Sequence, residues 1–188
     1  GLLGQQYVKY LSDLGANIII GDLDFKKCKE LSDSMNSCGG KTTPFEINIL
    51  SEKSIVAFFK KINSTFKKLD ILINNAIVKP DGYYDSFINY KKETLMEVLD
   101  GNLTGVSLSC REAIKYFLKN KKGIIVNISS IYGVVAPDQR IYENSENIYT
   151  LDEALSLPVS YAISKAGIIQ LTKYLASYYR EKNIRINC

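Results

Sequence analysis

Tyr161 and Lys165, four positions apart near the end of the sequence, are the residues whose types and spacing most clearly suit chemistry. On a helix, residues i and i+4 share a face, so their heads can approach one point. A tyrosine phenol titrates near pH 10, too high for a base in neutral solution. A nearby ammonium favours the phenolate and turns such a pair into a proton donor and acceptor. Ser129-Ser130 ends an apolar run and can bring a hydroxyl to the same substrate oxygen. Asn102, in Gly101-Asn102-Leu103-Thr104-Gly105, sets an amide in a largely apolar helical stretch, where an unpaired polar group is costly. Ala162, Ser164, Ala166 and Gly167 keep the surface around the pair small, as close packing requires.

Composition removes several alternatives. The 188 residues include no histidine, which excludes Ser-His-Asp and Cys-His nucleophiles and histidine-containing zinc sites. Cys28, Cys38, Cys110 and Cys188 show no metal-ligand spacing, so no metal is expected; scattered thiols point to a reducing, cytoplasmic compartment. The 24 basic and 20 acidic residues are spread along the chain, which speaks against a nucleic-acid partner. No apolar run approaches the roughly 20 residues of a membrane span.

Short apolar runs alternate with longer segments of helical period, the pattern of an α/β fold with a doubly wound, Rossmann-like parallel sheet in a single domain. Helices are predicted over Leu2 to Leu14, Phe25 to Met35, Ser51 (as N-cap) to Phe66, Thr94 to Lys119 and Val159 to Glu181, with a short helix near Asp85. Strands are predicted over Asn17 to Ile20, Thr43 to Ile49, Leu69 to Ile73 (short and buried), Gly123 to Ile128 and from Ile184. Ligands in such sheets sit outside the carboxyl ends of the strands. Gly1 begins inside a glycine turn and Cys188 ends inside a strand, so the chain reads as a fragment truncated at both ends.

A nucleotide end is readable from the same order. Gly1-Leu2-Leu3-Gly4 opens a helix, where glycines and a helix N-terminus suit a pyrophosphate. Asp22 follows Ile18-Ile19-Ile20 at the position where a carboxylate accepts from ribose hydroxyls and repels a 2′-phosphate. NAD is therefore expected in preference to NADP. Asp24 competes for that role or caps the next helix. The expected cofactor contacts are Gly1, Leu3, Gly4, Asp22, Leu23, Asn48, Ile49, Asn75, Ala76, Ile128, Tyr161 and Lys165, with Asn74 beside them.

The combination of GxxG, Asp22, Asn74-Asn75-Ala76, Asn102, Val126-Asn127-Ile128-Ser129-Ser130, Tyr161-Ala162-Ile163-Ser164-Lys165-Ala166-Gly167 and Ile184-Arg185-Ile186-Asn187 resembles the short-chain dehydrogenase/reductase family over essentially the whole chain. The resemblance implies an NAD-binding domain over residues 1–188 that lacks its first strand and its substrate lid. It implies a tetrad in which Tyr161 is the general acid/base and Ser130 polarises the substrate oxygen. Lys165 would bind the nicotinamide ribose and assist Tyr161, and Asn102 would hold a water linking the lysine to solvent. Two positions depart from the family pattern: Ile77 replaces a glycine, and Asn48 replaces an aspartate.

From Ser130 to Tyr161 there are 31 positions, longer than in simple family members. The added stretch, about residues 136–157, carries Arg140, Tyr142, Asn144, Asn147 and Tyr149, suited to a sugar-like substrate or to a solvated loop or subunit contact. Ser130-Ile131-Tyr132-Gly133-Val134-Val135-Ala136-Pro137-Asp138, Arg140-Ile141-Tyr142 and Ile73-Asn74-Asn75-Ala76 are similar to the oxidoreductases of bacterial flagellin modification, which serve pathways to nonulosonic sugars. Sugar-nucleotide epimerases or dehydratases, and a cofactor-binding protein without catalysis, are the competing readings. The resemblance also implies a homodimer or homotetramer through the two long helices.

Overall fold

Three consecutive isoleucines favour extended backbone, and Ile18, Ile19 and Ile20 form the middle of β1 (Asn17–Asp22). The computed structural model describes residues 1–143, 145 and 155–188. They divide into two compact units, 1–67 and 68–188.

In the first unit, α1 (Leu2–Asp13) precedes β1, and α2 (Phe25–Ser37) connects β1 to β2 (Lys41–Glu46). The two strands are parallel, in register from Asn17 against Lys41 to Asp22 against Glu46. α3 (Glu52–Phe66) follows, with Ser51 accepting the Ser54 N–H as its N-cap, as predicted. α3 buries Ile55, Phe59 and Ile62. Asp24 caps α2 by accepting the Lys27 N–H, the second of its two expected roles. β2 lies earlier than the predicted Thr43 to Ile49, because pairing with β1 ends at Glu46. Asn48 then accepts the Leu50 N–H at 2.9 Å and turns the chain toward the α3 cap.

The second unit holds β3 (Ile71–Asn74), α4 (Lys92–Leu99), α5 (Val106–Asn120), β4 (Gly123–Asn127), α6 (Val159–Tyr178) and β5 (Ile184–Asn187). Its strands are parallel in the order β3-β4-β5. Val98, Phe117, Ile125 and Ile168 form its fully buried core. Strands joined in parallel through helices are the βαβ pattern that the apolar runs predicted.

Other elements of this unit also differ from expectation. The helix predicted over Thr94 to Lys119 is interrupted by a π-helical turn at Asp100–Gly105, which buries Gly101, Asn102 and Gly105. β3 begins later than predicted and is not wholly buried, since Ile71 is 46% exposed. α6 stops at Tyr178, where the Lys182 N–H bonds back to the Tyr179 carbonyl in a turn before β5. Near Asp85 the expected short helix is a 3₁₀ turn at Phe87–Asn89.

Candidate active site

The end of β4 and the helix α6 carry the residues expected to transfer protons, all within the second unit. Tyr161 and Lys165 lie on consecutive turns of α6, with the Lys165 ammonium 5.6 Å from the Tyr161 ring centre. Lys165 is buried and donates from Nζ to the carbonyl of Ile128 at the end of β4. Burial lowers its pKa. The same strand end is bonded to the helix backbone, since the Ser129 hydroxyl donates to the Lys165 carbonyl at 2.8 Å.

Ser130 starts a 3₁₀ turn at Ile131–Gly133 and accepts the Tyr132 N–H on its hydroxyl oxygen. That bond uses a lone pair and leaves the O–H to donate to a ligand. Gly133 explains how the turn lies so close to α6. A Cβ on it would come within 2.7 Å of the Lys165 carbonyl carbon and 2.8 Å of its oxygen. Only a residue without a side chain permits that approach.

Asn102 sits in the π turn with both ends of its amide on one backbone. Oδ1 accepts the Val78 N–H at 2.7 Å, and Nδ2 donates to the Val78 carbonyl at 3.4 Å. Asn102, expected to hold a water, thus fixes the segment after Asn74-Asn75-Ala76 with one lone pair and one N–H of its amide. Ile77 is 37% exposed, so the bulk at this family glycine position meets no packed core.

A network that the sequence reading did not assign lies behind these residues. Asn127, completely buried in β4, accepts from Asn74 Nδ2 at 2.8 Å and from Cys110 Sγ at 3.6 Å, and donates to Thr172 Oγ1 at 3.0 Å. It links β3, α5 and α6 through one amide. The available signal was an asparagine in the otherwise apolar run Ile124-Ile125-Val126-Asn127-Ile128, since a buried amide must find partners. Burial pushes the Cys110 thiol up to about 12.

Phenols gather near Tyr161 from both flanking segments. On one side, Tyr90 bonds Ser160, the residue before Tyr161, through oxygens 2.6 Å apart. On the other, the Tyr132 and Tyr142 hydroxyls are 3.4 Å apart, and Tyr142 feels the charge of Tyr161. Arg140, expected to hold an anion, is instead paired with Asp138 at 2.6 Å. Asn144, Asn147 and Tyr149 lie outside the described residues.

The expected nucleotide residues lie in the first unit apart from Asn74, Asn75, Ala76, Ile128, Tyr161 and Lys165. Gly1 is the N-cap of α1, and Leu3 and Gly4 stand in its first turn. Asp22 ends β1 half-buried and accepts the Asp24 N–H on Oδ1 at 3.1 Å. Its neighbour Leu23 is 63% exposed. Asp24 is engaged as cap and in an ion pair with Lys27 at 2.9 Å. Asn48 and Ile49 follow β2, half-buried. Gly21 permits close packing within this unit, since a Cβ there would meet the Phe58 ring at 2.9 Å.

Among the described residues no cluster of His, Cys, Asp or Glu could hold a metal ion, and no helix is long and apolar enough to cross a membrane. All four cysteines are free.

Residues 2–145 match the sequence model of the family described as short chain dehydrogenase. The 3-oxoacyl-(acyl-carrier-protein) reductase of Thermotoga maritima is 28% identical over 185 residues, which is 98% of this chain and 67% of that protein. The corresponding reductase of Aquifex aeolicus is 30% identical over 186 residues, 98% of this chain and 66% of its own length. The chain thus spans about two thirds of the length of these relatives. A short chain dehydrogenase from Mycobacterium smegmatis superposes with a TM-score of 0.81 at 25% identity, covering 100% of this chain and 70% of that one. NAD⁺-bound xylitol dehydrogenase superposes with a TM-score of 0.84 at 24% identity, covering 100% of this chain and 64% of that one. The fold is thus Rossmann-like α/β, and the chain belongs to the short chain dehydrogenase family of oxidoreductases.

Proposed function

We propose that residues 1–188 are the NAD-binding domain of an oxidoreductase that interconverts an alcohol and a carbonyl on a sugar-like small molecule. The observation that carries this reading is Lys165 buried beside Tyr161 and bonded to the β4 end that presents Ser130. In the oxidative direction, Tyr161 accepts the substrate hydroxyl proton as hydride leaves the same carbon. In reduction Tyr161 returns that proton. Ser130 donates to the substrate oxygen and holds it near Tyr161. Lys165 stabilises the negative phenolate by its charge. A bound nicotinamide supplies the hydride donor or acceptor. Asn102, besides fixing the segment after β3 through Val78, keeps an N–H and a lone pair for a water that links Lys165 to solvent.

The residues of the first unit fit a dinucleotide. Asp22 Oδ1 is held by the Asp24 N–H, while Oδ2 keeps its lone pairs, so a ribose diol can donate to it. Gly1, Leu3 and Gly4 at the α1 start suit the pyrophosphate, and Leu23, Asn48 and Ile49 suit the adenosine part. Asn75, Ala76 and Ile128 suit the nicotinamide half. A carboxylate at residue 22 repels a 2′-phosphate, which favours NAD over NADP.

The sugar-like substrate is supported by Tyr90, Tyr132 and Tyr142 around the α6 start. Together with Ser130 to Asp138 it supports a role in bacterial surface-sugar biosynthesis, flagellin glycans included. Four free thiols support a reducing, cytoplasmic setting. A dimer or tetramer through α5 and α6 is supported by Ile163, Tyr174 and Tyr178, which α6 leaves exposed.

The test is turnover of a panel of polyols, simple alcohols and 3-oxoacyl thioesters by the full-length protein. Tyr161→Phe abolishes turnover and keeps NADH binding; retained turnover overturns the mechanism. Asp22→Ala weakens NAD⁺ binding more than NADP⁺ binding, and an unchanged ratio removes the cofactor preference.

A further inference from the structure

The segment between β3 and α4 is fixed at three points. Val78 is held by Asn102, the Asp81 carbonyl accepts from Thr94 Oγ1 at 3.1 Å, and Tyr90 bonds Ser160. Within it Gly82, with a φ of 74°, makes a left-handed turn closed by the Asp85 N–H on its carbonyl. A side chain there would be strained and would also meet Asp85 Oδ2 at 2.8 Å. The turn sends the next residue inward. Tyr83 is only 3% exposed, with its ring edge-on to Tyr84 at 4.9 Å and the Lys79 ammonium 5.9 Å from its centre.

The Tyr83 hydroxyl has no hydrogen-bond partner among the described residues. Every fully buried side-chain oxygen or nitrogen among them has a partner, so this hydroxyl is not sealed in. A phenol that buries its ring and leaves its oxygen open and unpaired is a ready donor and acceptor. Tyr83 also lies close enough to Tyr84, Tyr90 and Tyr161 for their phenol charges to interact with its own. Burial first, and those phenols second, push its pKa up, so it is a neutral hydroxyl at physiological pH. It therefore offers a hydrogen bond without a second base beside Tyr161.

We propose that Tyr83 is a substrate-orienting residue whose hydroxyl bonds a hydroxyl on the carbon next to the reacting one, so that the site selects vicinal diols and α-hydroxyketones over simple alcohols and ketones. The proposal rests on the hydride-transfer reading above and names the substrate class for it. The rigid mounting of Tyr83 matters, because a donor fixed before binding discriminates without ordering a loop.

The experiment compares cis-1,2-cyclohexanediol with cyclohexanol, which differ by one hydroxyl, in NAD⁺-dependent oxidation by the full-length protein. Tyr83→Phe removes one oxygen and keeps the buried ring. It lowers kcat/KM for the diol about tenfold, chiefly through KM, and leaves cyclohexanol within about twofold. NADH binding and melting temperature stay at wild-type values. An equal change for both alcohols, or no change for either, overturns the role of Tyr83 while the hydride-transfer reading stands. Wild-type protein that binds NADH and oxidises no alcohol of the panel overturns that reading and this proposal with it.

Discussion

The Ser129 hydroxyl donates to the Lys165 carbonyl at 2.8 Å, so the β4 end that presents Ser130 and the α6 turn that presents Lys165 move as one piece. Gly133 completes the junction by packing on the same carbonyl. Gly133→Ala forces the two apart by several tenths of an ångström or more. Misplacement of reacting groups on that scale lowers kcat by about 100-fold. Steady-state kinetics of the full-length enzyme reads this, with NADH affinity unchanged. Wild-type kcat in the variant would show that the close approach is dispensable.

Asn127→Leu removes the hub between Asn74, Cys110 and Thr172. The Asn74 amide loses its carbonyl partner in a buried setting, and the variant loses about 2–3 kcal/mol of stability. Urea unfolding measures it. A loss below about 0.5 kcal/mol would mean that the network adds nothing beyond shape.

Glu112 gives stability a dependence on acid. It is buried on α5, which raises its pKa, but the Lys115 ammonium at 2.7 Å and the Arg111 guanidinium at 2.9 Å outweigh burial, and the net shift is downward from 4.5. A carboxylate with a lowered folded pKa stabilises the fold above its unfolded pKa and loses that contribution as pH falls through the folded value. The wild type therefore loses stability below pH 4.5, and Glu112→Gln shows a shallower decline there. Urea midpoints between about pH 3 and pH 7 record the difference.

Thiol chemistry separates the four cysteines. Cys38 and Cys188 are exposed, whereas Cys28 and Cys110 are buried with their thiols pushed up to about 11 and about 12. The thiolate is the reactive form, so iodoacetamide at about pH 8 modifies Cys38 and Cys188 first. Peptide mapping of native protein by mass spectrometry resolves the sites. Modification of Cys110 at the rate of Cys38 would show that α5 opens readily.

The parts of this architecture that are local in sequence were legible in it. Ser51 and Asp24 cap the helices that follow them because a cap needs only the next three residues. Tyr161 and Lys165 share a side because four residues slightly exceed one helical turn. What escaped depends on distant partners. Asn127 meets residues 17, 45 and 53 positions away, and no local pattern names them. An amide at residue 102 in an apolar stretch demands a partner, but that the partner is Val78, 24 positions away, is not readable from the chain. The bounds of β2 depend on where β1 stops, not on the apolar run that continues to Ile49. The sequence offered Asp22 and Asp24 for one role, and the structure shows Asp24 engaged as a helix cap and in an ion pair.

The π turn at Asp100–Gly105 also gives the chain a residue to spare. A π turn spends about one residue more per turn than an α-helix. Deleting one of these six residues would therefore let the turn close to regular α geometry while Cys110, Ala113, Ile114 and Phe117 keep their places on the core. What the deletion would cost is the aim of Asn102 at Val78. The extra residue is thus slack that the two helices spend on positioning one amide.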